Sequence, residues 1–148
     1  MIRRPEAEMT GEKDIPAPDA QQIAASPRRR LLVVDDNRDF TDTMAILLEE
    51  IGHEVRTAYD GREVAPIVAD FNPEVVLLDI GLPGIDGYEL ARRLRASPQC
   101  SGAALIAVSG YGQQADRIRA QEAGFDHHLV KPVDPDKLAK LIEALAQE

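Results

Sequence analysis

The 148-residue chain has no tryptophan, a single cysteine, three tyrosines and three phenylalanines. One cysteine excludes an internal disulfide and fits a reducing compartment, with Cys100 read as a passenger thiol in a loop. Positive charge is also scarce: 17 Lys and Arg stand against 26 Asp and Glu, a formal net charge of −9. Direct nucleic-acid binding needs a basic footprint that displaces counterions, so that class of function is set aside. No apolar run approaches the roughly 20 residues that span a bilayer as a helix. The opening MIRRPEAEMTGEK carries two arginines with no apolar segment behind them, unlike a secretory signal. A cytoplasmic protein without a membrane partner is expected.

Residues 1–28 hold four of the ten prolines (Pro5, Pro16, Pro18 and Pro27) and show no apolar periodicity. They are expected to form a disordered tail, unable to bury enough surface to offset ordering. Residues 29–148 are expected to form one domain. There, strand-like and helix-like segments alternate. Leu31–Val34 is continuously apolar, as in a strand covered on both faces. Phe40, Met44, Leu47, Leu48 and Ile51 follow at helical spacing, with Gly52 at the C-cap position. Glu54–Ala58 reads as a second strand. Asp60 is expected to cap a helix to about Asp70, kinked at Pro66. Glu74–Asp79 and Ala104–Ser109 are the third and fourth strands, separated by a turn-rich loop and a helix capped by Asp86. A weakly amphipathic helix over 112–123 ends at Gly124, His127–Lys131 forms a short fifth strand, and Leu138, Leu141, Ile142 and Leu145 mark the last helix. Five strands alternating with five helices predict an α/β fold, a (βα)5 doubly wound parallel sheet of flavodoxin-like strand order 2-1-3-4-5.

In such sheets, sites form beyond the carboxyl ends of the strands. Those ends here are Asp35 and Asp36, Asp79, Ser109 and Lys131. Two adjacent carboxylates closing a buried strand repel each other and resist desolvation. Strands one and three are neighbours at about 4.8 Å in that order, so Asp36 and Asp79 could share one hard cation such as Mg2+. That cation, rather than an internal partner, is expected to make the acid pair tolerable. Capping of the following helix, where acids are favoured, is the plainer alternative for Asp35 and Asp36. Lys131 lies two strands from Asp79, a gap its four-carbon stem can mostly close.

The segments VVDDN, VVLLDIGLPGIDGYEL, AVSG and LVKPVD, in that order and each at a strand end, resemble the response-regulator receiver family of two-component signalling, over about residues 29 to 146. The resemblance implies that Asp79 accepts a phosphoryl group from the phosphohistidine of a sensor histidine kinase or a histidine phosphotransfer protein. It implies Mg2+ held by Asp36, Asp79 and the Gly81 backbone carbonyl, with Asp35 acting directly or through water. Ser109 would hydrogen-bond a phosphoryl oxygen, Lys131 would form an ion pair with it, and the Lys131–Pro132 bond would be cis. Two positions depart from the common pattern. His128 stands where many receivers have a Tyr or Phe ring that swings inward. Gly81, with Tyr111, occupies a position that influences phosphoryl lifetime. His53 and His127 are read as ordinary surface or core histidines.

The expected output is a protein contact with an unknown downstream partner, in a free-standing receiver or one from a hybrid kinase. The competing reading is a Mg2+-dependent phosphohydrolase working through an aspartyl phosphate. Such enzymes use an acid/base aspartate two residues after the nucleophile, where this chain has Asn37 and Gly81. A flavin-binding reading lacks a Ser/Thr-rich phosphate loop.

Overall fold

A computed structural model describes residues 28–110 and 114–145; the first 27 residues, Tyr111 and the last three residues, for which a tail, a lifetime role and a domain end were expected, lie outside that range. Five strands, β1 (Arg30–Val34), β2 (Glu54–Ala58), β3 (Val75–Asp79), β4 (Ala104–Ser109) and β5 (His127–Val130), alternate with five helices. The helices are α1 (Arg38–Ile51), α2 (Val64–Phe71), α3 (Gly87–Ala96), α4 (Gln114–Ala123) and α5 (Pro135–Leu145). The strands form one sheet in the order β2-β1-β3-β4-β5, every pairing parallel, as expected.

The continuous apolar runs are explained by two cores, one on each face. Alternate residues Leu31, Val33, Val75, Leu77, Ile106 and Val108 pack with Met44 and Leu48 of α1 and Leu138 and Ile142 of α5. The intervening Leu32, Val34, Val76, Leu78, Leu105 and Ala107 pack with residues of α2, α3 and α4. Period-two alternation therefore divides β1, β3 and β4 between two buried faces, while the edge strand β2 keeps Glu54 and Arg56 exposed. Cys100 belongs to the second core and is buried, so it is a packing residue within its turn rather than a passenger.

Local signals set the helix ends. Asn37 caps α1, its side chain accepting from the Phe40 amide at 3.1 Å. Gly52 closes α1 at φ 118°, a left-handed conformation that glycine adopts without a Cβ penalty. Asp86 caps α3 as expected, accepting from the Tyr88 amide at 2.9 Å. The expectation of one helix kinked at Pro66 is corrected. Asp60 caps a short 3-10 turn, Gly61–Glu63, and α2 starts only at Val64. Pro66 thus lies in the first helical turn, where its missing N–H forfeits no intrahelical bond. The Lys131–Pro132 bond is cis, as the resemblance implied.

Candidate functional site

The endings of four strands, β1, β3, β4 and β5, converge at the carboxyl edge of the sheet. Val34 pairs with Leu78 across β1 and β3, so Asp35 follows β1 beside Asp79, the last residue of β3. Asp79 in turn pairs with Val108, one residue before Ser109, and Ser109 pairs with Val130, one residue before Lys131. One carboxylate oxygen from each of Asp35, Asp36 and Asp79 lies within 4.8 Å of the others. Asp35 and Asp79 are buried, while Asp36 is exposed.

Asp35 is fixed from several sides. Its Oδ1 accepts from the Asn37 amide at 2.9 Å, forming a turn that starts α1. Its backbone carbonyl accepts from the Thr41 hydroxyl at 2.9 Å, and that hydroxyl also reaches the Asn37 carbonyl at 2.8 Å. Its Oδ2 faces Lys131 Nζ at 2.7 Å. The acid pair is therefore partly compensated from within, correcting the expectation that only an external cation would serve. The ammonium contact is an ion pair without hydrogen-bond alignment, and Asp35 Oδ2 receives no directed hydrogen bond among the described residues.

Asp79 presents Oδ1 to the Gly81 amide at 2.9 Å and Oδ2 to Lys131 Nζ at 3.5 Å. Burial pushes its pKa up, with the Asp35 charge acting in the same direction; the Gly81 amide and the Lys131 charge oppose them. For Lys131, burial works toward a lower pKa, but the contact with Asp35 and the charges of both aspartates outweigh it and raise the pKa. The ammonium also lies 5.2 Å from the centre of the Phe40 ring.

Three oxygen donors, one of them buried and without a directed hydrogen bond, suit a hard divalent cation rather than a soft one, so this donor set fits Mg2+. The contact seen at Gly81 is through its amide. Ser109 is buried, and its Oγ lies 2.7 Å from His128 Nε2. His53, just before β2, accepts from the Arg29 amide through Nδ1 at 3.1 Å at the amino end of the strands, opposite the acid cluster, as an ordinary structural histidine.

Sequence reasoning missed two supporting residues. Thr41 places a hydroxyl inside an apolar helical stripe, which is a legible sign of a local backbone bond. Gly87, read only as turn punctuation, packs against the backbone of Ile80, directly after Asp79.

Residues 31–143 match the family model for the response regulator receiver domain. The chain is 33% identical over 116 residues to protein PilH of Pseudomonas aeruginosa, covering 78% of this chain and 96% of PilH. It is 30% identical over 116 residues to RpaA of Synechocystis sp., a DNA-binding dual master transcriptional regulator. That match covers 78% of this chain but 48% of RpaA, so the chain spans about half the length of that relative. Among solved structures, the receiver domain of the sensor histidine kinase PA1611 from Pseudomonas aeruginosa has a magnesium ion coordinated in its active-site cleft. It superimposes with a TM-score of 0.74 at 24% identity, covering 82% of this chain and all of that one, a likeness of fold.

Proposed function

The chain belongs to the response regulator receiver family of two-component signal transduction, and from that membership we propose that Asp79 accepts a phosphoryl group from the phosphohistidine of a sensor histidine kinase or histidine phosphotransfer protein. The observation that carries this reading is the convergence of the Lys131 ammonium on Asp79 and Asp35 beyond the sheet's carboxyl edge. Asp35 is already clamped by that ammonium, the Asn37 amide and the Thr41 hydroxyl, and Asp36 stands in solvent. Asp79 alone lies between the acids on one side and the Ser109 and Lys131 donors on the other.

Asp35, Asp36, Asp79 and the Gly81 carbonyl would hold Mg2+, which when bound neutralises charge on the phosphoryl oxygens. An Asp79 carboxylate oxygen forms the new bond to phosphorus as the bond from phosphorus to the donor imidazole nitrogen breaks. Lys131 pairs with a phosphoryl oxygen and Ser109 donates a hydrogen bond to another. Positioning and charge neutralisation are what phosphoryl transfer chiefly requires.

The output is a change in protein contacts. The net charge of −9 speaks against a direct DNA contact by this chain. A cytoplasmic location fits as well, and among the described residues no helix is long and apolar enough to cross a membrane. Incubation with radiolabelled acetyl phosphate tests the reading. Label should enter the wild-type protein only with Mg2+ present and should be lost in Asp79→Asn. Equal labelling of both proteins contradicts it.

A further inference from the structure

The side chain of His128 lies on the same sheet face as Ser109. Ser109 pairs with Val130, so His128, two residues earlier on β5, is its diagonal neighbour, and Nε2 reaches Ser109 Oγ at 2.7 Å. The other ring nitrogen, Nδ1, is buried and has no hydrogen-bond partner among the described residues. Burial lowers the pKa of the ring; the charge of Arg117 acts the same way and that of Asp116 opposes it. The imidazole is therefore neutral at pH 7 and carries one proton.

Which nitrogen carries that proton decides the direction of the contact with Ser109. With the proton on Nδ1, a buried N–H faces no acceptor, and Nε2 draws the serine proton toward the ring. With the proton on Nε2, every ring donor is used, and only a lone pair on Nδ1 is left bare. A buried donor without an acceptor is rarer and costlier in folded proteins than an under-satisfied acceptor. The Nε2–H form is the one the geometry favours.

We propose that His128 is a positioning residue for phosphoryl transfer: its Nε2–H donates to Ser109 Oγ and so directs the serine's own proton toward the phosphoryl oxygen on Asp79. This rests on Asp79 being the acceptor. A hydroxyl has one proton and two lone pairs, so accepting from His128 occupies a lone pair and leaves the proton for donation. The ring acts from its present place and need not swing inward. A phenylalanine there would keep the ring but remove the donor, and a glutamine would restore an N–H.

Long-range 1H–15N correlation spectra of the full, 15N-histidine-labelled chain test the tautomer without a substitution. The expected result is a protonated Nε2 and a bare Nδ1 for His128; the reverse overturns the proposal. Labelling by acetyl phosphate and Mg2+ supplies the second arm. His128→Phe should slow labelling by about tenfold, the worth of one hydrogen bond. His128→Gln should recover most of the rate, and His128→Phe should have no further effect in a Ser109→Ala background. Labelling at the wild-type rate in His128→Phe refutes the role of His128 while leaving Asp79 as acceptor. A wild-type protein that takes no label refutes the Asp79 reading itself.

Discussion

Oδ2 of Asp35, a residue only 1% exposed, lies 2.7 Å from the Lys131 ammonium, which is supplied from beyond β5, three strands away in the sheet. The contact ties the two ends of the site together and supplies a positive charge to a carboxylate that solvent does not reach. Removing the lysine leaves that carboxylate without its counter-charge, a cost of about 1–3 kcal/mol. Lys131→Ala should therefore lower the urea midpoint of the metal-free protein. Adding Mg2+ should narrow the gap, because another cation then faces Asp35. An unchanged midpoint without metal contradicts the pairing.

Mg2+ should raise the melting temperature of the wild-type protein at neutral pH. The cation binds carboxylates gathered by the fold and not those dispersed in the unfolded chain, and a hundredfold excess over Kd stabilises by about 2.7 kcal/mol. Asp36→Asn should reduce this shift. It should also raise the melting temperature of the metal-free protein, because it removes one of three mutually repelling charges. A wild-type transition insensitive to millimolar Mg2+ counts against the cluster as a metal site.

Gly87 sets how closely α3 approaches the end of β3. A Cβ added there would meet the backbone of Ile80, which cannot move aside as a flexible side chain can. Gly87→Ala should cost about 1–3 kcal/mol in denaturant unfolding, as overpacking does. It should also slow labelling by acetyl phosphate, because Ile80 adjoins Asp79. A stable variant that labels at the wild-type rate argues against this coupling.

The strand ends were legible because apolar runs covered on both faces stop abruptly where the polar groups begin, as at Val34–Asp35 and Leu78–Asp79. The bounds of β4 follow directly from such patterning, whereas β2 is an edge strand with exposed Glu54 and Arg56. Contacts that depend on register across the sheet were less so. The Lys131–Asp35 ion pair and the Ser109–His128 contact join residues 96 and 19 positions apart, and no local pattern says which oxygen an ammonium will reach. Asn37, rather than Asp36, caps α1 because Asp35 Oδ1 folds back onto the Asn37 amide and shifts the start of the helix by one residue. At Pro66 the expected kink came from treating proline as a breaker without knowing where the helix began.

His53 accepts from the Arg29 amide only while its Nδ1 is unprotonated. Burial foremost, and then the charge of Arg29, lower its folded pKa, with Glu74 opposing; the pKa of His128 is lowered as well. As pH falls, the unfolded chain takes up these protons first, near pH 6.5, so stability declines from there through the lowered folded values and then levels off. His53→Gln should make the fall in urea midpoint between about pH 7.5 and 5.5 shallower. A slope identical to wild type removes His53 from the account.

The most direct test of the central claim is to identify the labelled residue. The protein is phosphorylated with acetyl phosphate and Mg2+, reduced with borohydride and digested, and the peptides are sequenced by mass spectrometry. Reduction converts an aspartyl phosphate to homoserine, so the account predicts homoserine at position 79 and unmodified aspartates at positions 35 and 36. Homoserine at either of those positions, or a phosphoryl group on a residue outside the cluster, contradicts it.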